Sequence, residues 1–277
     1  MSKCNRLNKI IANFCVAVLF NVVAGQVHAA SESCSTVKLN GSSVWFPVSI
    51  REEPAGGLRG VFPDLAGRIF DILDIRLKSG PDLPWKRQLT LLENGQIDVL
   101  AGAYVTNERL QKFGVSRPVM KEDVAVFIRA GLPFRPQGPA ELAGLRGVAP
   151  FGASFGEEFD TFAEVNLAID RHPVDDLKTL IRLLIEDKAD YMVSSRPGGE
   201  RLVGEMSAYG VVEVLPWPAA VNTLHFLFSR ATPCIDLLHS FNAELERQID
   251  AGKLEDYTKI YGHGAGSRTP GNTNLNK

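Results

Sequence analysis

Cysteine and histidine are scarce in this chain: four and five in 277 residues. No pair of them has the spacing of a zinc framework, so no metal site is expected. Glycine-rich phosphate loops are missing, which leaves any nucleotide hydrolysis to a partner, and no cofactor is expected. Charge of one sign is missing too. The 30 basic and 32 acidic residues nearly cancel, and no basic stripe offers itself to nucleic acid. Long apolar runs are equally rare. The longest, residues 10–24, is about 15 residues where a bilayer span needs roughly 20.

That run has a different meaning. Lys3, Arg6 and Lys9 precede it, and Val27-His28-Ala29 follows with small residues at two key positions. A basic start, an apolar centre and a small-residue exit make a secretory signal peptide over residues 1–29. A membrane anchor is the weaker reading. Neither Cys15 nor Cys34 has the neighbours of a lipoprotein site. The exported chain of about 248 residues would carry a charge of roughly −5, since three basic residues leave and no acidic ones do. Its 45 % hydrophobic content suffices for two small cores. Only Cys34 and Cys234 remain after cleavage, an even pair in an oxidising compartment. They are expected to form a disulfide closing a loop of about 200 residues, worth at most roughly 5 kcal/mol. Two unpaired buried thiols are the alternative.

Apolar runs then alternate with helical patterns up to residue 262. Residues 44–50 read as a strand entering a loop, and Pro63-Asp64 opens a helix through about Leu73. Residues 85–94 form a second helix stopped by Gly95, and 97–101 and 124–128 are buried strands. Three prolines between 133 and 139 mark a loop. The alternation predicts α/β layers with a parallel sheet. A weak echo joins Leu92-ENGQI-Asp98 to Leu184-IEDKA-Asp190, each a helix end, a polar turn and an Asp before a strand. After Cys234 come a long amphipathic helix, a Gly252 stop and a short helix. The polar tail 264–277 is expected to be disordered.

Four stretches resemble the extracellular solute-binding proteins of polar amino-acid ABC importers, bacterial solute-binding protein family 3. They are Gly60-VFP-Asp64-Leu65, the run from Trp85 to Asp98 with its AGAYVTNER sequel, Gly147-VAPFGAS, and Asp250-AGKLEDYTKIYG. The resemblance implies the type II periplasmic binding fold: two α/β lobes, two crossover strands as hinge, and a ligand in the cleft. Lobe one would be residues 37–123 plus 222–262, and lobe two 124–221. It further implies a periplasmic, non-enzymatic monomer that takes a small carboxylate-bearing solute to an inner-membrane ABC permease.

By the same resemblance Arg109, in Thr106-Asn-Glu-Arg109, grips the ligand carboxylate. A planar guanidinium fork suits that task. The alternative is a surface arginine paired with Glu108 or another acid. Gly152, Ala153 and Ser154 would present N–H groups and a hydroxyl at a helix start, or would simply cap it. Trp45 would line the cleft or pack in the core. Asp64 reads as a helix-start residue, and Asp98 and Asp190 as turn residues.

Departures from the family pattern bear on the ligand. The position expected to hold an acid for the ligand's ammonium is Ser195, a second such acid falls near Ser42, and Tyr104 replaces a small hydroxyl residue. An ammonium facing hydroxyls alone is poorly compensated. Either the ligand lacks an α-amino group, or Glu157 or Glu158 supplies the charge; lysine and arginine fit badly. Two enzyme readings stay open. Gly152-Ala-Ser154-Phe-Gly156 fits a nucleophile elbow, with Asp190 and His225 or His239 in hydrolase order, and dehydratases exist on the implied fold. A periplasmic sensor module is a third alternative.

Overall fold

A computed structural model describes residues 34–52, 56–173 and 177–262. The expected signal peptide and the polar tail lie outside the described residues. The chain enters as β1 (Thr36–Gly41) and passes through β2 (Val44–Trp45) and β3 (Ser49–Ile50) before helix α1 (Val61–Ile72). Residues 44–50 are therefore a small antiparallel hairpin, Val44 opposite Ile50 and Trp45 opposite Ser49, rather than one strand. Pro47 has no N–H to give a ladder, so the run bends there. Gly60 caps α1 at φ 123°, and a Cβ on it would lie 2.7 Å from the Val48 carbonyl oxygen. Only glycine fits that approach.

The next elements are β4 (Arg76–Ser79), α2 (Trp85–Glu93), β5 (Val99–Tyr104), α3 (Asn107–Lys112), β6 (Gly114–Val115) and β7 (Met120–Arg129). Beyond a 3-10 turn at Pro139–Leu142 come β8 (Arg146–Pro150), α4 (Glu157–Asn166), β9 (Ala168–His172) and α5 (Lys178–Ile185). They are followed by β10 (Tyr191–Ser195), α6 (Arg196–Glu205) and β11 (Val212–Phe228). Helices α7 (Leu238–Asp250) and α8 (Lys253–Gly262) finish the described chain, as the Gly252 stop implied.

The main sheet runs β4-β1-β5-β11-β7-β10-β8-β9, with β6 also on β11. It is not the purely parallel sheet that the alternation suggested. β1 pairs in parallel with β4 and β5, and β8 with β10 and β9, but β7 and β11 are antiparallel to their neighbours. Those two strands join the halves. One end of β11 pairs with β5 and the remainder with β7, its register shifting around Pro218. Pro216 and Pro218 disguise this 17-residue strand in the sequence, because proline cannot donate to a ladder.

Each half has its own packing centre. Phe62, Phe226, Phe228, Phe70 and Phe241 are fully buried, with ring centroids 4.8–5.2 Å apart in successive pairs. On the other side Phe127, Leu180, Ile181, Leu184 and Met192 cluster between α5 and the strands. The echoed motifs occupy matching places. Asp98 accepts from the backbone N–H of Lys38 at 2.8 Å, and Asp190 from that of Arg146 at 2.7 Å. Each turn aspartate thus fastens the start of its half's central strand. Cys34 and Cys234 are joined, Cα atoms 4.9 Å apart, tying the start of β1 to the segment before α7.

Candidate functional site

A cavity of about 510 Å³ opens between the halves. From one side come the hairpin, Trp85, Tyr104 and Arg109; from the other, Pro150, Phe151, Ala153, Ser154, Phe155, Lys178 and the β10–α6 junction.

Arg109 is placed by a short chain of local contacts. Thr106 caps α3, its Oγ1 accepting from the Arg109 backbone N–H at 3.2 Å. The Arg109 guanidinium then donates from Nη1 to the Tyr104 carbonyl at 2.6 Å and lies over Trp85, 5.8 Å from the ring centroid. The side chain is buried, 9 % exposed. Burial pushes its pKa below the ordinary value, partly opposed by Asp160 and Glu108. Among the described residues no carboxylate pairs with it. Glu108, the alternative partner, bonds Lys112 at 3.0 Å instead. A buried cation without a counter-ion is costly, and an anionic ligand in the cavity would relieve that cost. Thr106 itself serves the helix and does not line this cavity.

Trp45 and Tyr104 form one wall, edge to face with centroids 5.0 Å apart. Both donate to the same oxygen of Glu122: Trp45 Nε1 at 3.1 Å, and the Tyr104 hydroxyl. Glu122 carries no signal in the sequence. It is 4 % exposed and its Oε1 has no partner. Burial lifts its pKa to about 7, Asp123 adds to the rise, and the two hydrogen bonds counter it.

Gly152, Ala153 and Ser154 do not stand at the helix start, where the sequence put them. α4 begins later, with Gly156 as its N-cap. Asp160, in the first turn, reaches back to accept from Ser154 Oγ at 2.6 Å and from the Phe155 N–H at 2.9 Å. Those bonds fix the turn as a loop ahead of the helix. Ala153 and Ser154 line the cavity. Gly152 faces Lys86 of α2 instead, its Cβ direction 3.7 Å from Lys86 Cγ. Ser195 lines the cavity beside Ser194, both nearly buried. Neither Glu157 nor Glu158 lines it; Glu157 is bonded to Asn107.

The elbow reading loses its geometry. The Ser154 hydroxyl is held by Asp160, while His225 is buried on β11 with Nδ1 2.8 Å from the Ser116 carbonyl and Nε2 2.9 Å from Thr223 Oγ1. Among the described residues no cluster of metal-ligating side chains occurs, and no helix is long and apolar enough to cross a membrane. Cavity residues that the sequence did not single out include Phe46, Arg51, Phe151, Phe155 and Arg201. Phe46, Arg51, Phe151 and Phe155 sit in loops, where no periodicity points to them, and Arg201 lies within α6.

Solved structures share this architecture. A mutant of ArgBP from T. maritima superposes with a TM-score of 0.69 at 19 % identity, over 82 % of this chain and 95 % of that one. A chain from work on glutathione import via GshT and the cystine ABC importer TcyBC of Streptococcus mutans gives 0.71 at 20 %, over 85 % and 98 %. The ancestral amino acid-binding protein AncCDT-1, a precursor of cyclohexadienyl dehydratase, gives 0.66 at 18 %, over 82 % and 95 %. No functionally curated protein matches the sequence. The fold is thus the two-lobe α/β fold of type II periplasmic binding proteins. The profile of the bacterial extracellular solute-binding proteins, family 3, matches residues 38–264, and the chain belongs to that family.

Proposed function

We propose that this protein captures a small carboxylate-bearing solute in the periplasm and delivers it to an inner-membrane ABC importer. Lobe one is residues 37–123 plus 222–262, lobe two is 124–221, and β7 with β11 is the hinge. The observation that carries the reading is Arg109: a buried guanidinium, held rigidly at the cavity wall, with no counter-ion among the described residues. A charge-assisted hydrogen bond contributes roughly 1.5–3 kcal/mol. Micromolar affinity needs about 8 kcal/mol, so the aromatic walls and Ser195 must supply the rest. Binding rather than turnover is favoured because Ser154 is tied to Asp160 and, among the described residues, no histidine is bonded to it.

A thermal-shift screen of amino acids, dicarboxylates and small organic anions tests the reading. Ligand at 100 times its dissociation constant should stabilise the protein by about 2.7 kcal/mol. Arg109→Ala should abolish that shift. A shift unchanged in the variant removes Arg109 from the site.

A further inference from the structure

The cavity walls hold more information than the guanidinium alone. Six aromatic residues line it: Trp45, Phe46, Trp85, Tyr104, Phe151 and Phe155. Rings like these can cage a ligand cation. Here four of the six already carry a cation of the protein. Arg109 lies over Trp85, Lys86 over Phe151 at 5.2 Å, Arg171 over Phe155 at 5.2 Å and Arg201 over Phe46 at 4.6 Å. The other two, Trp45 and Tyr104, direct their polar atoms into Glu122 and away from the cavity, leaving ring surface for the ligand.

Charge points the same way. Among the described lining residues four are cations, Arg51, Arg109, Lys178 and Arg201, against two acids, Glu52 and Glu205. Glu205 is taken by Arg201 at 2.7 Å and Lys178 at 3.4 Å. Glu52 is exposed. The hydroxyls of Ser194 and Ser195 are neutral and cannot balance an ammonium. Among the described lining residues the one carboxylate without an ion pair is Glu52, which is exposed, so an ammonium buried here would lie among cations, and unpaired burial of charge is the costliest kind.

Resting on the carboxylate reading above, we infer that the ligand is an organic anion with an apolar or aromatic body and no amino group: its carboxylate meets Arg109 and its body lies on the Trp45–Tyr104 wall. Glu122 fits this picture. It is buried and does not line the cavity, and burial raises its pKa to about 7.

Calorimetry on the purified protein with matched pairs tests the inference: 3-phenylpropanoate against L-phenylalanine, and 4-methylpentanoate against L-leucine, with L-arginine as a cationic probe. The amine-free member of at least one pair should bind at least tenfold more tightly than its amino acid, L-arginine should give no heat, and Arg109→Ala should lose the tight binder. Amino acids binding as well as their amine-free partners, with Arg109→Ala still abolishing both, would overturn this inference and keep the carboxylate reading. Binding of L-arginine would overturn it as well. Silence from every pair, or binding indifferent to Arg109→Ala, would sink both.

Discussion

Glu157, at the first position of α4, accepts from the backbone N–H of Asn107 at 2.8 Å and also from its side-chain amide, fifty residues away. Asn107 is two residues from Arg109, so the bond ties the far wall to the helix that carries the guanidinium. With Lys86 over Phe151 and Arg201 over Phe46, it links the two halves. Such contacts exist only when the halves meet, and they bias that equilibrium.

Glu157→Ala is therefore expected to weaken ligand binding without touching the ligand. Losing about 1 kcal/mol of exposed hydrogen bonding amounts to roughly fivefold in dissociation constant. Stopped-flow should place the change in the off-rate. An unchanged off-rate would mean the bond does not hold the cleft shut.

Thr106 acts through Arg109. Thr106→Ala removes the cap of α3 and should cost about 1 kcal/mol of local stability, with a matching loss of affinity as the guanidinium loses its fixed origin. Thr106→Ser keeps the hydroxyl and should restore binding. Equal affinities for all three proteins would argue that the cap is irrelevant to the site.

Glu122 gives a pH dependence with a definite sign. Its folded pKa, about 7, lies above its ordinary value of 4.5. The folded state therefore holds the proton more firmly. Its contribution to stability is complete below about pH 4.5 and is lost as pH rises through 7. The full change is on the order of 3 kcal/mol. Glu122→Gln should flatten the fall in stability between pH 5 and 8 in urea titrations. A wild-type profile retained in the variant would reject the assignment.

The bond between Cys34 and Cys234 closes a loop spanning 200 residues. Replacing both by serine should lower unfolding free energy by about 2–5 kcal/mol, read as a lower denaturant midpoint. The exported form should show no free thiol when denatured without reductant. Two titratable thiols would contradict the bridge.

Much of the architecture was legible in the chain. The positions of α1 and α2, the Gly252 stop and the echoed aspartates are local signals, set by periodicity, capping and turn chemistry over about ten residues. The echo even anticipated that Asp98 and Asp190 do the same work. The 17-residue β11 was hidden because two prolines interrupt its pattern, although a hinge strand tolerates them where its register shifts. The hairpin at 44–50 reads in the sequence as a strand entering a loop because its apolar run continues through the bend.

The site divides along the same line. Arg109 and Thr106 could be found from a short motif, since their mutual geometry is settled within one helical turn. Glu122, Phe46 and Arg201 could not. Glu122 matters only because Trp45, 77 residues away, and Tyr104 converge on it, and Arg201 only because it lies over Phe46.

By itself the sequence determined the α/β alternation, the family and the arginine, all consequences of near-neighbour chemistry. The tertiary structure alone decided that this arginine is buried with no carboxylate paired to it among the described residues, that four of the six aromatic rings lining the cavity already hold the protein's own cations, and that Glu157 bonds Asn107. Each of these depends on distances between segments far apart along the chain, and burial and charge compensation are properties of that proximity.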